Sequence, residues 1–117
     1  MKEIEEIFRW LKNQSIIGLL QEFSAILRKA GIDVKQMILY GSHAIGTPRD
    51  DSDIDVAVVS EGFGEDKIEE GMRLFRLAGR LDPRIEPVPV SLNAFVNDTW
   101  IPLIYEIRKN GIEIPLQ

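Results

Sequence analysis

The sequence contains no cysteine. That excludes disulfides, zinc-thiolate sites and a cysteine nucleophile, and it agrees with a reducing, cytoplasmic location. No apolar stretch approaches the roughly 20 residues needed to span a bilayer. The first ten residues, MKEIEEIFRW, alternate in charge where a signal peptide would carry an apolar run. Positive charge is also in short supply: 14 basic side chains face 19 acidic ones, for a net charge of −5. General nucleic-acid binding rests on a basic footprint, so nucleic acid is disfavoured as a partner. The acid is uneven. Between Arg49 and Glu70 stand nine carboxylates and two cations. Most are expected to be solvated surface, but those inside a strand need another explanation.

What is present suits one globular domain. A chain of 117 residues has room for one core and little more. Ile4, Ile7, Phe8 and Leu11 share a helical face, and Ile16, Leu19, Leu20, Phe23, Ile26 and Leu27 continue the spacing. Residues 2–30 are therefore one long helix or two short ones, depending on Asn13-Gln14-Ser15, with Gly31 as the stop. Val34 to Tyr40 predicts a buried strand. Gly41 to Ser52 predicts a turn with one helical turn after Ser42, and Ile54 to Val59 a second, valine-rich strand. A helix is expected over 66–81, ended by Asp82-Pro83. Ile85 to Val90 predicts a third strand. Leu92 to Trp100 is ambiguous, Pro102 to Lys109 predicts a helix closed by Asn110-Gly111, and Ile112 to Ile114 a last short strand. Pro87 and Pro89 lack N–H groups on one lateral side, so the third strand belongs at a sheet edge, with Glu86, Val88 and Val90 bonding its neighbour. Trp10 and Trp100 are expected in the core or an interface.

Residues 41–55, GSHAIGTPRDDSDID, carry the chemistry. Gly41 and Gly46 have P-loop spacing, but Thr47 and Pro48 stand where a P-loop needs Lys and then Ser or Thr. Asp51, Asp53 and Asp55 begin like a calcium loop, but its sixth and twelfth positions are Val56 and Gly62 rather than Gly and Glu. Read as a whole, the stretch joins two functions. Gly41 permits a tight turn and close approach of a phosphate, and Ser42 offers a hydroxyl and an N–H near a helix start. Asp53 and Asp55, two apart in a strand, would face one side with Cα atoms about 6.6 Å apart, from a rise of roughly 3.3 Å per residue. Such a pair suits one bridged hard cation, or two cations about 3.5–4 Å apart. Without a cation the two carboxylates repel.

The pattern G41-S42-x-A44-x-G46-x5-S52-D53-x-D55 resembles the signature of the DNA polymerase β-type nucleotidyltransferase superfamily, and the short chain resembles its minimal nucleotidyltransferase branch. The match covers 15 contiguous residues on a predicted strand–turn–strand, and more weakly the late helix, Gly111 and short strand. The resemblance implies an α/β (α+β) fold: a small mixed β-sheet packed by helices, with an N-terminal helical segment (1–31), a catalytic core (34–90) and a C-terminal helix and short strand (91–117). It implies that Gly41 and Ser42 hold nucleotide phosphates, with Ser52 and Arg49 as further nucleotide contacts. Asp53 and Asp55 would bind divalent metal. A third carboxylate would complete the metal site and prepare the attacking hydroxyl. Glu86 is the first candidate and Asp82 the weaker one. His43, the single histidine, occupies a position that varies among relatives and is read as incidental rather than as a general base.

The implied reaction is magnesium-dependent transfer of a nucleoside monophosphate, AMP from ATP, with two ions assisting. A chain this short leaves no room for a substrate-binding domain, so the resemblance implies a partner. The expected one is a small helical HEPN-type toxin, for which this chain would be the antitoxin. An apolar face left on the N-terminal helix or the C-terminal segment would suit that partner or a second copy. The alternative is an antitoxin or regulatory subunit that keeps the fold but transfers weakly or not at all. Ile45, where relatives often carry Arg, and Glu86, where many carry Asp, are the features that favour it.

Overall fold

The computed structural model describes the backbone of residues 2–45 and 53–116, and side chains from Ser15 onward within those ranges. The first 28 of these residues form one helix, α1 (Lys2–Lys29). Asn13-Gln14-Ser15 does not break it, and Leu20, Phe23 and Leu27 extend its buried stripe. The helix stops as predicted. Gly31 takes φ +88, its N–H donates to the Arg28 carbonyl at 3.0 Å, and the Ile32 N–H reaches back to the Leu27 carbonyl at 3.0 Å. This paired termination satisfies two carbonyls that the helix would otherwise leave open. Ile32 and Leu27 join the same core.

The chain continues through β1 (Gln36–Tyr40), α2 (Ser42–Ile45), β2 (Ile54–Ser60), α3 (Lys67–Leu81), β3 (Ile85–Ser91), α4 (Leu92–Asn97), α5 (Pro102–Asn110) and β4 (Ile112–Glu113). Each predicted element is present. The ambiguous stretch after Ser91 resolves as α4. The first strand begins two residues later than expected, although the Lys35 N–H already donates to the Val59 carbonyl at 2.8 Å. α3 starts on Asp66, whose carboxylate accepts the Glu69 N–H at 3.1 Å; an acidic cap also complements the helix dipole.

The sheet order is β3-β2-β1-β4. β2 and β3 are parallel, joined through α3, and the remaining pairs are antiparallel. β3 is an edge strand, where the lateral side lacking N–H at Pro87 and Pro89 needs no partner. Helices cover both faces. Leu20, Phe23 and Leu27 of α1 with Leu74 and Ala78 of α3 pack on one face against Met37, Leu39, Ile54, Val56 and Val58. Ile104 and Ile107 of α5 pack on the other against Ile38, Ala57 and Val59. Double coverage explains why β2 is almost wholly apolar. Asp55 is the one residue of β2 that is not buried. Among the described residues no helix is long and apolar enough to cross a membrane.

Gly111 ends α5, with its N–H on the Ile107 carbonyl at 3.1 Å. A Cβ there would run into that carbonyl oxygen and into Ile38 Cγ2. Gly111→Ala is therefore expected to destabilise the protein by about 1–3 kcal/mol, as overpacking does, and thermal denaturation measures it.

Of the two places expected for Trp100, core or interface, the structure excludes the core, because the side chain is 78% exposed. The C-terminal segment does leave apolar side chains outside, Trp100 and Tyr105 among them, but α3 also exposes Ile68, Met72 and Phe75. The Trp10 side chain lies outside the described residues.

Candidate active site

The site forms where the edges of three strands meet one turn. Gly41 follows β1 directly and takes φ +73, a left-handed conformation that costs other residues roughly 1–2 kcal/mol. Its carbonyl accepts the N–H groups of Ala44 and Ile45 at 3.1 and 3.3 Å, which winds α2. Ser42 is the first residue of α2, as predicted. The glycine is also required by space. A Cβ at Gly41 would collide with Oδ2 of Asp55. The phosphate-binding turn of the sequence reading and Asp55, the second of the two aspartates expected to bind metal, are thus in direct contact across the sheet.

The strand register gathers the rest. Asp55 stands opposite Tyr40 on β1 and opposite Glu86 on β3. Residues paired across a sheet share a face, so Tyr40, Asp55 and Glu86 form one row. Asp53 lies one residue ahead of β2 rather than within it, a small departure from the expected placement. It still reaches the row, since its carboxylate acts on both Asp55 and Glu86. Asp82 is drawn elsewhere. Its carboxylate pairs with Arg84 at 2.8 Å and accepts the Arg84 N–H at 2.9 Å, which holds it below the usual carboxylate range. Between the two candidates for a third carboxylate, the structure brings Glu86 to the aspartates and ties Asp82 to its neighbour. Gly46, Arg49 and Ser52 lie outside the described residues.

The electrostatics follow from this crowding. Burial, and then repulsion from Asp53, raises the carboxyl of Asp55, while the His43 imidazole opposes the shift. His43, read as incidental, is therefore an electrostatic neighbour of the row. The carboxyl of Glu86 is raised by partial loss of hydration, then by Asp53 and Asp55, and by its hydrogen bond with Asp53. Tyr40 was not singled out from the sequence. Its phenol is pushed up to about 12 by burial and by the charges of Asp55 and Glu86, so it stays neutral. Only the register could have revealed it, because locally it is the end of an apolar run. Among the described residues no three His, Cys, Asp or Glu side chains are grouped, as they stand, in a way that could hold a metal ion.

Folding raises the proton affinity of Asp55 and Glu86, so the folded state holds more protons than the unfolded chain just above the ordinary carboxylate range. Stability must then fall as pH rises through that window. Glu86→Gln removes one of the repelling charges. It is expected to raise the melting temperature at about pH 7.5 and to leave it unchanged at about pH 3, where the carboxyls are protonated in both states. Thermal denaturation at the two pH values checks the sign.

An open cleft of about 530 Å³ lies at the far ends of β2 and β3, lined by Phe63, Ser91, Leu92 and Val96 among others. It contains none of the clustered carboxylates.

Comparison with known proteins agrees with this geometry. Several solved structures share the fold. One is a toxin-antitoxin solved with AMP-PNP, with TM-score 0.59 and 23% identity, covering 83% of this chain and 73% of that one. Another is a candidate nucleotidyltransferase from Sulfolobus solfataricus, with TM-score 0.59 and 16% identity, covering 93% and 85%. A third is a mutant of the toxin-antitoxin MntA-HpeT, with TM-score 0.55 and 23% identity, covering 82% and 72%. At such identities the likeness is one of fold. No curated protein matches the chain in sequence. The sequence profile described as Polymerase beta, Nucleotidyltransferase matches residues 21–116, from the middle of α1 to the end of the described chain. The turn at Gly41, the row of carboxylates and the mixed sheet all fall within that match, and the chain belongs to the polymerase beta nucleotidyltransferase family.

Proposed function

We propose that the chain transfers AMP from ATP to a hydroxyl on a HEPN-type partner protein, and that it acts as the antitoxin of that pair. The observation that carries the catalytic part is the contact of Gly41 with the Asp55 carboxylate, in register with Glu86. It sets the turn at Gly41 beside the row of carboxylates. In the reaction the acceptor oxygen forms a bond to the α-phosphorus. The bond from that phosphorus to the bridging oxygen breaks, and pyrophosphate leaves with the electron pair. Glu86, paired in register with Asp55, takes the hydroxyl proton and releases it to solvent. The N–H groups opening α2 and the Ser42 hydroxyl hold the phosphates.

The donor set fits magnesium, because every donor is a hard carboxylate oxygen. Asp53, Asp55 and Glu86 would hold two ions after side-chain rotation. Bound there, the ions would neutralise triphosphate charge. The partner rests on the neighbours: two are toxin-antitoxin assemblies, one holding AMP-PNP. The MntA-HpeT mutant carries two aspartate-to-glutamate changes two positions apart, the spacing of Asp53 and Asp55.

A second reading, a binding antitoxin with little transfer, is favoured by Ile45. It is 59% exposed at the end of α2 and offers a phosphate no charge. The test incubates α-phosphate-labelled ATP and magnesium with the chain and its co-expressed neighbour. Label on the neighbour, lost with Asp53→Ala and Asp55→Ala together, supports the enzyme. A tight complex without label, indifferent to that double change, supports the binder.

A further inference from the structure

We propose that α3 is a self-association surface, through which two copies of this chain pair antiparallel about a two-fold axis. The inference is independent of the catalytic reading. It starts from Ile68, Met72 and Phe75, which are 78%, 52% and 61% exposed. At about 100° per residue they fall within roughly 60° of one another, a stripe centred about 110° round the helix from the buried Leu74 and Ala78. A shallow hollow of about 500 Å³ lies along it. Amphipathicity explains an apolar face as wide as the core it covers; the apolar arc of α3 is wider, and the core leaves Ile68, Met72 and Phe75 exposed.

The glycines give the second observation. Gly79 continues the stripe one turn beyond Phe75, and a Cβ added to it would meet nothing within 4 Å. Gly71 flanks the stripe, where an added Cβ would make only ordinary contact, 3.9 Å from Pro89. Neither has positive φ. The fold of one chain therefore needs neither glycine, although glycine weakens a helix interior. A facing helix does have a use for them, as hollows that admit large side chains.

The order of sizes and charges selects the occupant. Reversing α3 about a point between Met72 and Phe75 sets Ile68 against Gly79 of the second copy, and Met72 against Phe75 of the second copy, a favourable sulfur–aromatic pairing. The two-fold axis also keeps equivalent flanks on the same side. Glu69 then comes beside Arg80 of the second copy while retaining its own Arg76, 3.5 Å away. A surface that complements itself in size and charge when reversed is what a closed two-fold interface requires. One helix face buries less than the roughly 1,200 Å² of most specific interfaces, so dissociation constants on the order of 1–100 μM are expected.

Sedimentation velocity of the full chain, without nucleotide, from about 1 to 500 μM spans that range. The expected result is a monomer–dimer equilibrium. Phe75→Glu should weaken it at least about tenfold while circular dichroism remains unchanged, since Phe75 is exposed. Glu69→Arg should also weaken it, and adding Arg80→Glu should restore it. Within one chain these two residues are three helical turns apart, so restoration requires a second copy. The proposal is overturned by a chain that stays monomeric at the highest concentration, or by a dimer indifferent to Phe75→Glu. It is equally overturned if the wild-type chain is monomeric and Phe75→Glu instead disrupts a complex with a co-expressed partner, which would assign the stripe to that partner.

Discussion

Asp55→Asn is expected to lower nucleotidyl transfer on the order of 10³-fold while leaving the protein as stable as before, or more so. The loss follows from the place of Asp55 in the row. It stands between Tyr40 and Glu86 and touches the turn at Gly41. In the proposed reaction, removing its charge would take away a metal ligand and the neutralisation that depends on it, an effect of this order in comparable electrostatic sites. The gain in stability has the opposite origin. Burial and repulsion from Asp53 disfavour the ionised carboxyl, so the folded state is better off without that charge above the carboxylate range. A residue that opposes stability and is still placed in the middle of the row is more simply explained by chemistry than by folding. Transfer assays and thermal denaturation on the same preparation give both readouts. Parallel losses of activity and stability would mean that Asp55 is structural.

Gly41→Ala is expected to cost both stability and activity. The backbone at φ +73 penalises any side chain by roughly 1–2 kcal/mol. The new Cβ must also displace the Asp55 carboxylate. Misplacing a catalytic group by about an ångström can cost on the order of 10²-fold in rate. Gly31 provides the comparison. It has φ +88, but a Cβ there would meet nothing within 4 Å. Gly31→Ala should show the backbone penalty of about 1 kcal/mol with transfer unchanged. If the two substitutions behaved alike, the contact between Gly41 and Asp55 would have no functional weight.

Much of this was legible in the sequence because it is local. The spacing of Leu20, Phe23 and Leu27 gives a helix, Gly31 its stop, and two prolines an edge strand; each depends on residues a few positions apart. The run from Gly41 to Asp55 holds its glycines, serines and aspartates within 15 residues, so the family could be read before any fold was known. That Ser42 opens a short helix was legible for the same reason.

Other features depended on contacts between distant residues. Asp82 and Glu86 are both acids near the start of one strand. Only the pairing of β2 with β3 placed Glu86 opposite Asp55, and only the Arg84 ion pair withdrew Asp82. Tyr40 joined the site through its register with Asp55, which no local pattern encodes. The apolar arc of α3 is wider than the core covers, and periodicity cannot say which part meets the core. Packing against β3 and α1 decided that Leu74 and Ala78 face inward and that Ile68, Met72 and Phe75 face out. The sequence by itself determined the elements and the chemical groups, because those follow from neighbours along the chain. The tertiary structure decided which carboxylates meet and which apolar face is left uncovered, because both are set by strand register and layer packing between segments far apart in sequence.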